Sequence, residues 1–414
     1  MSVVAPPEPP LPDELEALIR EARARQWRRR ALFAAAIAVV AGVGLSVWAA
    51  IPGGGTGVGD GGGRPSAGAS SIRQIEAGGR RIPIDTIGSS GPVTWADNGG
   101  GLWLTTNGGT SWRRSVPRDV AATGDPVARV LAADFVDTRH GWLSADDVFG
   151  SFRVSSRSAS LRHMEIDRTT DRGRTWHAAI PPDCFETCVD ARLDFLDTRH
   201  GFALVVLEHG GGKLFSTRDG GASWTLVART AWTGSFAFFD VHDGVASDGH
   251  TIRRTTDGGR HWLRAAQLPP TFSTIRSLGR HLVVFGLRHL RLVAHTSADG
   301  GRHWKARLAP AWVRPGLPDN DSSISTPTAR DWVVPASPRL FMTHDAGRTW
   351  HVVRPADLPR SWSISQIEFT SPRVGWAIFA KGGQHLFRSV LVRTTDGGVH
   401  WTPAGPARPK PHRR

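Results

Sequence analysis

The strongest constraint on the fold is a phrase of eight or nine residues that the chain repeats seven times. Each copy, called a box below, reads hydroxyl residue, acidic or amide residue, glycine and closing tryptophan. The seven boxes are TTNGGTSW (105–112), TTDRGRTW (169–176), STRDGGASW (216–224), RTTDGGRHW (254–262), TSADGGRHW (296–304), MTHDAGRTW (342–350) and RTTDGGVHW (393–401). Repetition at roughly 40–50 residues is typical of propellers and solenoids, because one unit cannot bury its apolar face alone.

The chemistry of a box predicts a tight hairpin corner. A carboxylate that folds back onto backbone amides, followed by glycines that adopt positive φ, reverses the chain, and a tryptophan then opens the next strand. Seven equivalent sites cannot all be one active site, so we predict a structural role for the box residues. These are Asn107, Asp171, Asp219, Asp257, Asp299, Asp345 and Asp396, with Trp112, Trp176, Trp224, Trp262, Trp304, Trp350 and Trp401.

A second phrase precedes several boxes and supplies the other half of each repeat. DFVDTRHGWLSA (134–145) and LDFLDTRHGFALVV (193–206) share DTRHG, and segments 236–249 and 366–380 keep its outline. Apolar runs on both sides of a polar, glycine-containing turn indicate two more strands, which makes four per repeat. We predict an all-β fold, a seven-bladed β-propeller with four-stranded antiparallel blades over residues 78–405. His140 and His200 are expected to be solvated turn residues.

The box resembles the Asp-box, or BNR repeat, of sialidases, sortilin-type receptors and photosystem II assembly and stability factors. Its pairing with the aromatic strand phrase is most similar to the last group, over residues 78–405 of 414. This resemblance implies a WD40/YVTN-like propeller, and it implies help in assembling or stabilising a membrane protein complex. The departures from the pattern are Asn107 for the aspartate, and Arg172 and Ala346 for the first glycine, changes that are expected where the turn is structural.

The N-terminal region predicts a membrane anchor. Residues 31–51 are uncharged and mostly apolar, and as a helix they would rise about 31 Å, enough to cross the hydrocarbon core. Arg28, Arg29 and Arg30 favour a cytoplasmic N-terminus. We therefore expect a cytoplasmic leader with a short helix (1–30), a single transmembrane helix (31–51), a Gly-rich linker (52–77) and a basic tail (406–414). A cleaved signal peptide is the competing interpretation.

Cys184 and Cys188 are the only cysteines, and they lie between the second and third repeats. Outside the cytoplasm oxidation is permitted, so a small loop disulfide is the natural hypothesis. A zinc site would need further clustered cysteine or histidine ligands, and a redox pair would need the CxxC spacing. We expect no metal and no cofactor.

The formal net charge of +14 comes almost entirely from arginine. An outward-facing basic surface attracts acidic protein partners or anionic envelope components, whereas nucleic acid fits the charge but not the compartment. A compositional habit of an arginine-rich chain explains the same charge without any partner. The sequence predicts a monomer.

Enzymatic chemistry finds little support. Sialidases of the resembled family use a tyrosine nucleophile, and this chain contains no tyrosine. No HExxH, GxSxG, phosphate-binding loop or GxGxxG before a helix is present. A two-carboxylate hydrolase would have to draw on Glu165, Glu186, Glu208 or Glu368 together with aspartates outside the boxes. The prediction is a non-catalytic binding or scaffold module, with a carbohydrate-binding or carbohydrate-cleaving propeller as the alternative.

Two segments are candidates for binding. The excursion 146–168 lengthens the second repeat and carries Arg153, Arg157, Arg162, His163 and Arg168, although such an insertion is also common as decoration. The segment 310–323 offers Trp312 and Arg314 as an aromatic and cationic pair, types that are enriched at binding hot spots. Packing between blades is the alternative role of Trp312.

Overall fold

The structure is a computed structural model that describes eleven stretches of the chain, all within the segment Arg64–Arg414. These stretches are residue 75 and residues 81–98, 101–115, 129–146, 165–182, 184, 188–268, 275–289, 291–315, 324–381 and 388–407. The predicted leader and transmembrane helix lie outside them, as do residues 408–414 of the predicted tail, whereas residues 406 and 407 of that tail are described and contact the segment before the first strand. Within the described stretches, no helix has the length and apolar character needed to cross a membrane.

The described residues form 27 strands, grouped in chain order into seven sheets that we call blades one to seven. Blade one holds β1 (Thr86–Ser90), β2 (Val93–Asp97), β3 (Leu102–Thr105) and β4 (Arg113–Ser115). Blade two holds β5 (Arg129–Phe135), β6 (Gly141–Asp146), β7 (Glu165–Thr169) and β8 (His177–Ala179). Blade three holds β9 (Cys188–Phe195), β10 (Gly201–Leu207), β11 (Gly212–Thr217) and β12 (Thr225–Thr230).

The remaining blades follow the same order. Blade four holds β13 (Ser235–Phe238), β14 (Gly244–Ser247), β15 (Thr251–Thr255) and β16 (Leu263–Gln267). Blade five holds β17 (Arg276–Leu278), β18 (His281–Arg288), β19 (Arg291–Ser297) and β20 (Lys305–Leu308). Blade six holds β21 (Trp332–Ala336), β22 (Arg339–Thr343) and β23 (His351–Val353), and blade seven holds β24 (Ser363–Phe369), β25 (Gly375–Lys381), β26 (Arg388–Thr394) and β27 (Thr402–Pro403).

Every sheet is an antiparallel meander in which each strand pairs with the next one along the chain. Blade six has three strands. In place of the first strand of the other blades it has a single antiparallel bridge between Ser325 and Val333. The predicted all-β architecture of seven four-stranded antiparallel blades is confirmed.

Seven hydrophobic clusters lie between the blades and show that the ring is closed. Each cluster joins two successive blades, and the cluster of Ile84, Ile87, Trp376, Ile378 and Leu391 joins blade seven back to blade one. Each cluster also contains one box tryptophan. The core is therefore seven separate layers, which is how radially repeated sheets bury their apolar faces.

The ring closes through the segment that precedes β1. Arg81 and Ala407 form an antiparallel bridge, the amide of Ile82 donates to the carbonyl of Pro406 at 2.9 Å, and the guanidinium of Arg81 donates to the carbonyl of Gly405. The sequence left open which blade this segment joins, and the structure assigns it to blade seven. Ile75, placed in the linker by the sequence analysis, is fully buried between blades six and seven.

The hairpin between the first two strands of a blade exists in a long and a short form. In the long form a phenylalanine pairs with a glycine across a five-residue turn, as Phe135 with Gly141 and Phe195 with Gly201. Glycine is required there, because a Cβ on Gly141 would lie 2.1 Å from the ring of Phe135. The short form has a two-residue turn, between Ser90 and Val93 in blade one and between Leu278 and His281 in blade five.

The first strands of neighbouring blades lie side by side around the centre of the ring, where buried carboxylates hold them together. Asp134 accepts the amide of Phe195 at 2.7 Å, and Asp194 accepts the amide of Phe238 at 2.5 Å. Burial raises the pKa of Asp194 to about 7. The hydrogen bond from the Phe238 amide lowers this pKa, whereas the negative charge of Asp134 raises it further. Burial likewise raises the pKa of Glu368 to about 7.

These raised pKa values predict that stability falls as the pH rises. A carboxyl whose pKa is higher in the folded than in the unfolded chain stabilises the fold most below about pH 4, its unfolded pKa, and this contribution is lost as the pH rises through the folded value. Asp194→Asn imitates the protonated group and keeps an acceptor for Phe238. We expect its urea midpoint to fall less than that of the wild type between pH 5 and pH 8. Parallel curves for the two proteins would contradict this account.

Candidate functional site

All seven boxes fold into the same turn, in which two successive residues have positive φ. Glycine occupies both positions in five boxes, as at Gly258 (φ 74°) and Gly259 (φ 90°). In the other two boxes the first position is held by Arg172 (φ 70°) and Ala346 (φ 59°). Residues other than glycine rarely adopt a positive φ, so these two boxes carry backbone strain that glycine avoids.

Short hydrogen bonds fix the turn from within. The hydroxyl two residues before the acidic or amide residue donates to that side chain at 2.8–2.9 Å, and it accepts the amide of the second positive-φ residue at 2.8–2.9 Å. The acidic residue also accepts the backbone amide before the tryptophan, as Asp257 does from His261 at 3.0 Å. These bonds lower the pKa of Asp257, with the His261 amide as the largest cause.

The box tryptophans pack in the cores between blades. Trp224 and Trp401 are buried and the other five are half-buried. In boxes four to seven the indole donates to a carbonyl of its own turn, as Trp401 does to Gly398 at 2.8 Å. The geometry supports the predicted structural role, because each carboxylate already serves the turn that it stands in.

A second tie connects six of the boxes to the turn between the first two strands of their own blades, and these ties present a ring of basic side chains. In blades two to seven the amide of the first positive-φ residue donates to that turn at 2.8–3.0 Å. The accepting carbonyls belong to exposed basic residues, namely Arg139, Arg199, His242, Arg280, Arg330 and Arg373. Both turns lie at the same end of the strands, which we call the box face.

Of the recesses on the box face among the described residues, two lie beside a blade with the short turn, and we call these two the grooves. The first groove, of about 240 Å³, separates blade one from blade two. The second groove, of about 530 Å³, separates blade five from blade six. They are equivalent positions of the repeat, because Arg113, Thr138 and Arg172 in the first correspond to Lys305, Ala329 and Ala346 in the second. The two boxes without a first glycine therefore border the two grooves.

The groove between blades five and six has an apolar lining with basic groups at its rim. The apolar residues are Leu278, Leu282, Val283, Ala298, Ala329 and Ala346. The basic groups are His281, His303, Lys305 and Arg330. Neither Lys305 nor Arg330 has an ion-pair partner among the residues that the structure describes. The arrangement suits an apolar side chain with acidic neighbours.

This groove offers a single carboxylate, which is held by its own turn, and two exposed histidines, His281 and His303. Its one lining carboxylate, Asp299, accepts Ser297 Oγ at 2.8 Å, the amide of His303 at 3.0 Å and His303 Nδ1 at 2.6 Å. Bonds from His303 are the largest cause that lowers the pKa of Asp299. Glycoside hydrolysis usually requires two carboxyl groups, one of which donates a proton. The lining of this groove contains neither a second carboxyl group nor one that is free to donate a proton.

The predicted binding residues do not come together in the described parts of the chain. Arg153, Arg157, Arg162 and His163 lie outside these parts. Arg168 is half-buried on β7, whereas Trp312 and Arg314 follow blade five at the opposite end of the strands from the boxes. Trp312 packs edge-on against Phe341 of blade six at 6.0 Å, although the side chain is still 48% exposed.

Neither groove was predicted from the sequence, although the sequence contains a signal for each. GSSGPV in blade one and RSLGRHL in blade five lack the phenylalanine and the longer DTRHG turn. Arg172 and Ala346 were noticed but were interpreted as drift.

The two cysteines are joined in a disulfide on the connection between blades two and three. In the described stretches no three His, Cys, Asp or Glu side chains gather as a metal site.

The fold and this site define a class, the seven-bladed β-propeller of short antiparallel blades, and solved structures of that class resemble the chain. The structure of YCF48 bound to a D1 peptide matches with a TM-score of 0.53 and 16% identity, over 76% of this chain and 95% of the other. YCF48 from Cyanidioschyzon merolae matches with a TM-score of 0.43 and 16% identity, over 67% and 84%. The similarity to photosystem II assembly factors expected from the boxes is thus found in the fold.

A carbohydrate-active propeller also matches, at a lower score. The alpha-L-arabinanase of Penicillium chrysogenum complexed with arabinobiose has a TM-score of 0.39 and 12% identity, over 64% of this chain and 93% of the other. No protein-family model and no curated protein matches the sequence. At these identities the comparisons establish the fold only.

The box geometry predicts how a change at Asp257 affects stability. Asp257→Ala leaves the His261 amide and the Thr255 hydroxyl without their acceptor, which we expect to cost about 1 kcal/mol of the free energy of unfolding. Asp257→Asn is the matched control, because Asn107 makes the equivalent bonds in box one, to Thr105 and Ser111. Urea denaturation should show a clear loss for the alanine variant and a smaller one for the asparagine variant. Equal losses would show that the acceptor is not what matters.

Proposed function

We propose that the propeller is a non-catalytic binding module that receives an extended segment of a protein partner in the groove between blades five and six. The observation that carries this proposal is the composition of that groove, an apolar lining with Lys305 and Arg330 at the rim. An apolar side chain of the partner would occupy the lining, and acidic residues beside it would face the rim.

Several features favour a peptide over a sugar substrate. Asp299 is the only carboxylate that lines the groove, and its hydrogen bonds keep it ionised and turned toward its own box. Asp134 and Asp194 tie the first strands together, so their carboxylates serve the ring. Carbohydrate binding or cleavage is therefore the alternative that the experiment must be able to detect.

The resemblance to YCF48 supports the same direction. That structure contains a peptide of D1, so a propeller of this shape accommodates a protein segment. By this likeness we propose that the chain assists the assembly or stability of a membrane protein complex. The chemistry of the groove specifies the kind of segment, an apolar residue with acidic neighbours.

We further propose that the protein acts outside the cytoplasmic membrane. Residues 31–51 would anchor it as a single transmembrane helix, and Arg28, Arg29 and Arg30 would hold its N-terminus in the cytoplasm. The propeller would then be a monomer that meets partners in the envelope, without cofactor, metal or nucleic acid.

Filling the groove should abolish peptide binding. Ala329 lies on the turn before β21 and lines the groove, so Ala329→Trp places an indole where the partner's side chain would enter. We would screen the full chain in detergent against an array of extended peptides and measure affinities by fluorescence anisotropy. Wild type is expected to select apolar peptides with acidic neighbours, and Ala329→Trp to bind them at least about tenfold more weakly.

Val241→Trp is the matched control for this experiment. Val241 holds the corresponding turn position in blade four, is 40% exposed and lines neither groove, so its variant should bind like wild type. A glycan array and a glycosidase panel are run on the same protein. Selective sugar binding or turnover without peptide selection would replace the proposal with the carbohydrate alternative, and peptide binding unaffected by Ala329→Trp would place the site elsewhere.

The anchor has its own test. With epitopes at both ends, the C-terminal epitope is expected to be digested by protease added to spheroplasts, while the N-terminal epitope is protected. Deletion of residues 31–51 should move the protein out of the carbonate-washed membrane fraction. A protected C-terminal epitope would reverse the orientation, and a chain that stays membrane-bound after the deletion would disprove the anchor.

A further inference from the structure

Four arginines converge on the groove between blades one and two. Arg113 comes from β4 of blade one, and Arg139, Arg172 and Arg174 come from the two turns of blade two. Arg113, Arg172 and Arg174 line the groove itself, and a shallower recess beside it is lined by Arg139, Asp171, Arg172 and Arg174. The peptide proposed above uses the other groove, so this cluster is unexplained by it.

The cluster is held in place by both blades. Ser115 lies two residues after Arg113 on the same face of β4, where its hydroxyl donates to the carbonyl of Gly173 at 2.6 Å. The same hydroxyl accepts the indole of Trp176 at 2.9 Å. In blade two the amide of Arg172 donates to the carbonyl of Arg139 at 3.0 Å. The backbone of Arg172 and Arg174 is therefore held beside β4 by bonds that do not involve their guanidinium groups.

This arrangement is costly for the folded chain. Arg172 has a φ of 70° where five other boxes have glycine, so its backbone carries strain. The pKa of Arg113 is lowered first by burial and then by the charge of Arg174, with Arg172 adding to the effect and Asp171 opposing it. Like charges thus crowd one site, in which Arg113 is half-buried and the other three arginines are exposed, and none of the four has an ion-pair partner within the described residues.

Asp171 offsets only part of the positive charge of the cluster. One of its oxygens accepts Thr169 Oγ1 and the amides of Arg174 and Thr175, each at 2.9 Å, and the other accepts Thr175 Oγ1 at 2.7 Å. Its carboxylate is committed to the turn, as in the other boxes. The guanidinium donors of the cluster keep their capacity for an external anion.

We propose that the groove between blades one and two is a binding site for a phosphate monoester, with Arg113, Arg172 and Arg174 as the groups that hold the phosphate. Arginine forks match phosphate oxygens in pairs, and a doubly charged anion balances crowded cations better than a single carboxylate does. Thr106, Ser111 and Thr138 line the same groove and add hydroxyl donors.

The groove also has room for the group that carries the phosphate. Its volume of about 240 Å³ exceeds what a bare anion needs, and Val93, Leu104, Trp112 and Phe135 supply apolar walls. The ligand class is therefore a phosphate on a small, partly apolar organic group. A soluble metabolite and a lipid headgroup share this chemistry, and the experiment separates them.

Arg172→Gly is the decisive variant, because it returns the box to the sequence that suits its backbone. We expect a thermal midpoint no lower than that of wild type, since glycine adopts positive φ without strain. The full chain in detergent is titrated calorimetrically with inorganic phosphate and with phenyl phosphate at constant ionic strength. Wild type should bind one equivalent of each, phenyl phosphate more tightly, and Arg172→Gly should bind both at least about tenfold more weakly.

Arg302→Ala provides the matched control. Arg302 holds in box five the position that Arg174 holds in box two, is exposed, and lines neither groove, so its removal should leave affinity unchanged. No saturable binding by wild type, an unchanged affinity in Arg172→Gly, or an equal loss in Arg302→Ala would each overturn the proposal. Dihexanoyl phosphatidic acid, compared with dihexanoyl phosphatidylcholine, identifies a lipid source if it binds more tightly than phenyl phosphate and a soluble source if it does not.

Discussion

The whole molecule depends on one backbone constraint, two successive residues with positive φ in every box. That pair of residues reverses the chain between the third and fourth strands of a blade. In six blades the amide of its first residue donates to the turn between the first two strands, and the amide of its second residue donates to the box hydroxyl. The tryptophan that follows then enters the core between blades. Turn, sheet and inter-blade core are thus specified together, which is why a short phrase repeated seven times suffices for a closed ring.

Specific surfaces arise where the repeat is broken. Short turns in blades one and five remove the cover that longer turns give their neighbours, and each leaves a groove next to a box without its first glycine. Ala346 leaves the groove beside blade six apolar, whereas Arg172 makes its counterpart strongly cationic. One scaffold therefore presents two grooves of different character, and the difference between them is carried by a few side chains.

Sequence reasoning predicted what depends on local chemistry and missed what depends on neighbours. The box fixes its own turn, so the seven blades and the burial of residues such as Trp401 follow from pattern alone. The contact between Arg113 and box two requires knowing that β4 lies beside the next blade, which no local pattern states. The sequence allowed two roles for Trp312, binding a partner and packing between blades, because both fit an exposed-looking loop. In the structure Trp312 packs on Phe341. The joining of Arg81 to blade seven likewise needed the whole ring.

The bridge between Arg81 and Ala407 means that the ring has no natural beginning. Its two ends meet within one sheet, and every blade contacts its neighbours through a core of the same kind. Chain order and circular order are then separable properties: a covalent link at this seam, with a cut in any other connection between blades, would preserve all seven cores. The packing of the blades therefore does not dictate where the chain termini lie. The ring would tolerate termini in any connection between blades.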